Sequence, residues 1–249
     1  MIIGILEADE LSDEVIQRYG RYAETFEQLL SAVDPQLAFE TYQVTQQEFP
    51  QSIDACDAYV LTGSKYSCYE DIHWIKQLQQ FVVECYAQEK KLIGICFGHQ
   101  LIAQALGGSV QKHDKGWGIG MASSDVKTTP HWLTPVQPQF NLLVSHQDQV
   151  TRLPQQASLV ASNEFCPIAG YHVDHTILTF QGHPEFNHDY LQYLMMQRRQ
   201  TIGEQAYQQA MESLQQNEDN ELVAQWIVNF IRNEKRSPDN SLHTPHETL

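Results

Sequence analysis

Apolar positions along the first hundred residues alternate between two rhythms. IIGIL at residues 2–6, DAYVLTG at 57–63 and LIGI at 92–95 are short apolar runs of the kind that buried strands show. LAFETYQV at 37–44 alternates apolar with polar, as a strand with one covered face does. Between these runs the spacing turns helical. Val15, Tyr19, Tyr22, Phe26, Leu29 and Leu30 form one stripe of a helix expected over Asp13–Ala32. Trp74, Leu78, Phe81, Val82 and Cys85 form another in WIKQLQQFVVECYAQ, and Leu101, Ile102, Ala105 and Leu106 a third, stopped by Gly107-Gly108. Strand and helix in alternation with short connections predict a doubly wound α/β architecture around a mostly parallel sheet.

From Ser109 onward the rhythm changes. GWGIGMASSDV, FNLLVSH, SLVAS, IAGYHV and TILTFQGH read as short strands and predict an antiparallel or mixed extension of the same sheet. Residues 188–200, 203–216 and 219–234 read as three closing helices. The last segment, KRSPDNSLHTPHETL, has almost no apolar content, so one domain over 1–235 is expected, with a disordered tail over 236–249.

Composition narrows the function. A net charge of −16 argues against nucleic acid or an anionic membrane surface as a partner. MIIGILEADE lacks a basic n-region, so it reads as a first strand and not a signal peptide. The five cysteines (56, 68, 85, 96 and 166) are irregularly spaced without a CxxC pair, which fits reduced thiols and a cytoplasmic setting. His183, Glu185 and His188 match no strong zinc spacing, so neither metal nor cofactor is expected.

The chemistry centres on Gly94-Ile95-Cys96-Phe97-Gly98, where a buried strand runs straight into a helix. This is the shape of a nucleophile elbow with Cys in place of Ser: a strained turn, flanked by glycines that let strand and helix close together. A thiol at a helix head is favoured as thiolate. The N–H of Phe97 supplies half of an oxyanion hole, and the candidate for the other half is the Ser64 N–H in LTGSKYS, with Gly63 permitting the turn. TFQGHPEF offers a base and its orienter, His183 and Glu185, expected to point the same way along an extended segment. Each feature alone has an ordinary structural explanation, from core thiol to strand end to turn. Their conjunction at the ends of three different strands is what points to catalysis.

GICFGHQ and GHPEF resemble the class I glutamine amidotransferases, and in particular the glutaminase domain of GMP synthetase, over about residues 1–200. The resemblance implies a flavodoxin-like domain that releases ammonia from the glutamine side chain through a cysteinyl thioester. Cys96 would be the nucleophile, His183 the base and acid, and Glu185 the orienter. Gln100 and the segment Ser145, His146, Gln147 and Asp148 would hold the substrate, with Asp148 on the ammonium and backbone N–H groups of a 145–148 loop on the carboxylate. The loop at Gly63-Ser64-Lys65-Tyr66 departs from the family's usual Gly-Gly-Pro or Asn-Gly-Pro.

Nothing resembles an ATP-binding loop or acceptor site. The domain is therefore expected to stand alone, to serve a separate synthetase subunit, or to act on another γ-glutamyl substrate. On these motifs free glutamine ranks ahead of a γ-glutamyl peptide or conjugate, for which Lys65 or Tyr66 would touch the leaving group. A non-catalytic regulatory module on the same fold and a stress-response cysteine protein are the readings from other classes. The complete triad argues against the first, and the His-x-Glu after the last strand against the second.

Overall fold

A computed structural model describes residues 1–233, so the tail expected over 236–249 lies outside the described residues. The apolar runs form strands Ile2–Glu7 (β1), Ala38–Gln43 (β2), Ala58–Leu61 (β3) and Lys91–Ile95 (β4), and Ile177–Phe180 (β11) joins them. These five lie parallel in the order β2-β1-β3-β4-β11. Gly170–Val173 (β10), Ala157–Ser162 (β9), Gly118–Val126 (β6) and Gln139–His146 (β7) continue the same nine-stranded sheet in antiparallel fashion. Parallel strands buried on both faces need helices on both sides. Tyr22–Val33 (α2) and Asn220–Arg232 (α8) pack together over one face, and His73–Ala87 (α3) and Phe97–Ala105 (α4) over the other. His188–Gln197 (α5) and Glu204–Ser213 (α7) close the antiparallel end.

Two expectations are corrected. The helix expected over Asp13–Ala32 is two helices, Asp13–Tyr19 (α1) and α2, because Gly20 takes φ +81° and breaks the ladder. The helix expected over 188–200 is likewise interrupted at Arg198, where Arg199–Ile202 (α6) begins. Two further strands beyond those expected, Ser109–Lys112 (β5) and Asp148–Arg152 (β8), pair only with each other and form a separate ribbon outside the main sheet.

In consequence the 145–148 segment is no loop. Ser145 and His146 end β7, Asp148 opens β8, and Gln147 alone separates them.

Parallel order fixes where a ligand can sit. The chain leaves β1 toward β2 on one side and later fills β3 on the other, and such switch points open a crevice at the carboxyl ends of the strands. The segments that follow β1, β3, β4 and β11 all emerge at that edge. They carry Asp9, Gly63–Tyr66, Cys96 and His183.

Candidate active site

Cys96 sits between β4 and α4 with φ +52° and ψ −99°, a conformation that a residue with a side chain adopts only when its surroundings impose it. They do so tightly. A methyl group on Gly98 would stand 2.4 Å from the Leu61 carbonyl oxygen, and one on Gly94 would stand 2.8 Å from the Gly98 carbonyl. The two glycines thus let α4 press onto β3 and β4, as their place beside the cysteine suggests. The Cys96 N–H donates to the Phe180 carbonyl at 2.9 Å, which ties the elbow to β11.

His183 follows β11, and its own N–H donates to the Leu143 carbonyl at 2.8 Å. Its ring lies flat on Phe186 at 3.8 Å between centroids. Nδ1 meets Glu185 Oε1 at 2.8 Å, and both side chains are buried. The approach comes from a turn at Pro184-Glu185, not from the alternation of an extended strand. Burial works against charge on His183, but the Glu185 carboxylate and the Cys96 sulfur outweigh it and hold its pKa up at about 10. The imidazolium is therefore the resting form at neutral pH. The fold brings Cys96, His183 and Glu185 together.

Gly63 is needed for a different reason than the turn. Its φ is not in the left-handed region, but a Cβ there would stand 2.9 Å from His183 Cε1 and 3.8 Å from the Cys96 Cβ. The loop it opens is held by the two residues that distinguish it. The Lys65 ammonium pairs with Asp9 at 3.3 Å, and its backbone N–H donates to the same carboxylate at 3.0 Å. Tyr66 packs edge-on against Trp74. Both side chains are thereby engaged in fixing the loop. Among the described residues neither the Ser64 nor the Phe97 N–H has an intramolecular acceptor.

A cavity of about 290 Å³ opens in front of Cys96, walled by Ser64, Gln100 and Ser145–Asp148 among others. Gln100 uses its amide N–H groups on the Asp148 carbonyl at 2.8 Å and on Gln181 Oε1 at 3.1 Å, leaving its own oxygen open to a donor. Asp148 accepts from the Tyr69 hydroxyl at 3.0 Å. Burial, with the nearby His183, pushes His146 down to about 4 despite its contact with the Asp148 carbonyl, so it is neutral and braces the chain at that point.

Sequence reasoning missed three residues here. The Gln181 amide lies 3.6 Å from the Cys96 sulfur, positioned to donate to it. Its signal was present, two residues before His183. Arg198 reaches the cavity from the end of α5 and donates to the Ser145 hydroxyl at 2.8 Å. Tyr69 reaches it from the loop before α3. Neither has a local motif.

A second cavity, of about 360 Å³, lies alongside within the antiparallel strands. It shares Trp117 and His146 with the first, and Gln181 forms part of its wall. Phe140, Leu142 and Val144 make much of it apolar.

The sequence model of the class-I glutamine amidotransferases matches residues 15–199. The chain belongs to this family. A glutamine amidotransferase-like protein of Schizosaccharomyces pombe is 32% identical over 249 residues, covering 92% of this chain and 98% of its own length. Gamma-glutamyl peptidase 4 of Arabidopsis thaliana is also 32% identical, over 70% of this chain and 71% of its own. The crystal structure of a glutamine amidotransferase from Methylobacillus flagellatus superposes with a TM-score of 0.74 at 20% identity, covering 98% of both chains, and so shares the flavodoxin-like fold. Among the described residues no helix is long and apolar enough to cross a membrane.

Proposed function

We propose that this amidotransferase-family chain hydrolyses the γ-amide bond of γ-glutamyl compounds through a thioester on Cys96. The observation that carries the reading is the cysteine held at positive φ, with the buried His183–Glu185 pair beside it. The sulfur attacks the γ-carbonyl carbon, and the oxyanion that forms rests on the N–H groups of Ser64 and Phe97. His183 passes its proton to the departing nitrogen as the C–N bond breaks. The same imidazole then takes a proton from water, which attacks the thioester and releases glutamate and the Cys96 sulfur. Gln100 and Asp148 receive the amino-acid end of the substrate.

Glutamine and γ-glutamyl peptides share that glutamyl half and differ in what leaves. Ammonia needs no room. The second cavity offers room next to the first, with which it shares Trp117 and His146, and a relative at 32% identity is named a γ-glutamyl peptidase. These two observations favour a γ-glutamyl peptide over free glutamine, reversing the order that the motifs alone suggest. A role beside a separate synthetase subunit is the second reading, and it requires glutamine to be the better substrate.

The ratio of kcat/KM for γ-glutamyl dipeptides to that for glutamine decides between them. A ratio of about tenfold or more, roughly 1.4 kcal/mol of transition-state binding, is expected. A ratio below one in the isolated chain would return the assignment to glutamine.

A further inference from the structure

The cavity in front of Cys96 holds two half-buried charges, on Asp148 and Arg198, that the protein leaves uncompensated. Asp148 contributes a carboxylate bonded only to the Tyr69 hydroxyl, and Arg198 contributes a guanidinium bonded only to the Ser145 hydroxyl. Among the described residues neither has an oppositely charged group within 4 Å. This stands out in a chain with 31 acidic and only 15 basic residues, where a cation has many carboxylates to choose from. The other two cations of the cavity differ. Lys65 is tied to Asp9, and Lys112 is an exposed residue of the β5–β8 ribbon, where water can solvate its ammonium.

Arg198 is held in place instead. One of its nitrogens is fixed on Ser145, and its guanidinium lies over the Trp117 ring at 5.5 Å. A guanidinium has five N–H donors in a rigid fork that matches a carboxylate, so an arginine anchored by one nitrogen still presents a usable pair. The Trp117 indole N–H, in the wall of the same cavity, is buried without an acceptor. A cation and an anion fixed in one cavity are the complement of a zwitterion. The α-carbon of a γ-glutamyl compound carries such a zwitterion.

We propose that Arg198 binds the α-carboxylate of the substrate while Asp148 and the Gln100 oxygen take the α-ammonium. The inference rests on the γ-glutamyl reading for the identity of its ligand. It replaces the carboxylate site expected from backbone N–H groups of a 145–148 loop, since that segment is the junction of two strands. Arg198 is thus a substrate-binding residue that selects for a free α-carboxylate.

The test is binding, which does not depend on turnover. Calorimetry on Cys96→Ala protein would compare L-glutamine with its α-carboxamide, glutaminamide. Arg198→Met in that background should weaken L-glutamine about 30-fold, the scale of a lost charge-assisted hydrogen-bond pair, and change glutaminamide little. Arg198→Lys should fall between, keeping charge without the fork. Equal loss for both ligands, no loss for either, or failure of L-glutamine to bind would overturn the proposal. If Arg198→Met does not fold, Ser145→Ala should give a smaller loss confined to L-glutamine, and an equal loss for both ligands would again overturn it.

γ-Glutamylglycine and its C-terminal amide provide the remaining arm. A loss that follows the glycine carboxylate would place Arg198 on the leaving group and overturn the assignment. Absence of turnover by the intact enzyme on every γ-glutamyl amide would sink the hydrolase reading alone, leaving the binding comparison intact.

Discussion

Cys96→Ala is expected to lower kcat by about 10⁵- to 10⁶-fold, the scale seen when a nucleophile that acts with its base is removed. No neighbouring group can take over. Cys166 is the other thiol within electrostatic reach of Cys96, and burial pushes it up to about 12, so it is protonated at neutral pH and tied to the Ile168 carbonyl. Gln181, whose amide lies 3.6 Å from the sulfur, has no nucleophilic character. The variant should fold. Alanine removes only the sulfur, and the left-handed backbone at position 96 is imposed by the packing of α4 on β3 and β4. Circular dichroism and thermal unfolding alongside ammonia or amine release check both points. Activity within tenfold of the parent would mean that the reaction does not pass through this thiol.

The second large effect lies at His183. His183→Ala should cost about 10⁵-fold, because in the proposed mechanism one imidazole serves both the departing nitrogen and the incoming water. Glu185→Ala should leave more, a loss of about 10³- to 10⁴-fold, since the carboxylate orients and charges the ring without touching the reacting atoms. The pair also sets a pH dependence. A group whose pKa is raised in the folded protein keeps its proton to higher pH, so the alkaline limb of activity should fall as the pH passes about 10, where His183 deprotonates. Glu185 is one of the two groups that overcome burial to raise that value. Glu185→Gln should therefore move the alkaline limb to lower pH. An unmoved limb would assign it to another group.

The sequence carried these residues unevenly, and the reason is range. The elbow was legible because all its parts are consecutive: an apolar run, Gly94, Cys96, Gly98, then helical spacing. His183 and Glu185 were legible for the same reason, although the contact between them is made by a turn and not a strand. Gly63 was found with the wrong cause, because the volume it leaves for His183 depends on a residue 120 positions away.

Arg198 could not be found at all. Its hydroxyl partner lies 53 positions earlier, and an arginine near the end of an amphipathic helix carries no mark of its own. The break at Gly20 was readable in principle, since glycine inside a helical stripe is an ordinary stop. The separation of β5 and β8 from the main sheet was not, because strand pairing is decided by partners far along the chain.

The central claim is that Cys96 is the nucleophile toward a γ-glutamyl carbonyl. The most direct measurement is mass-spectrometric mapping of the adduct formed with the glutamine-like electrophile 6-diazo-5-oxo-norleucine. All five cysteines are free and buried, and burial pushes Cys68, Cys85 and Cys166 up to about 12 and raises Cys56. One adduct per chain is expected, on the peptide that contains Cys96, and its formation should slow when glutamine or a γ-glutamyl dipeptide is present. Labelling spread evenly over Cys56, Cys68, Cys85 and Cys166, or no labelling of Cys96, would contradict the account.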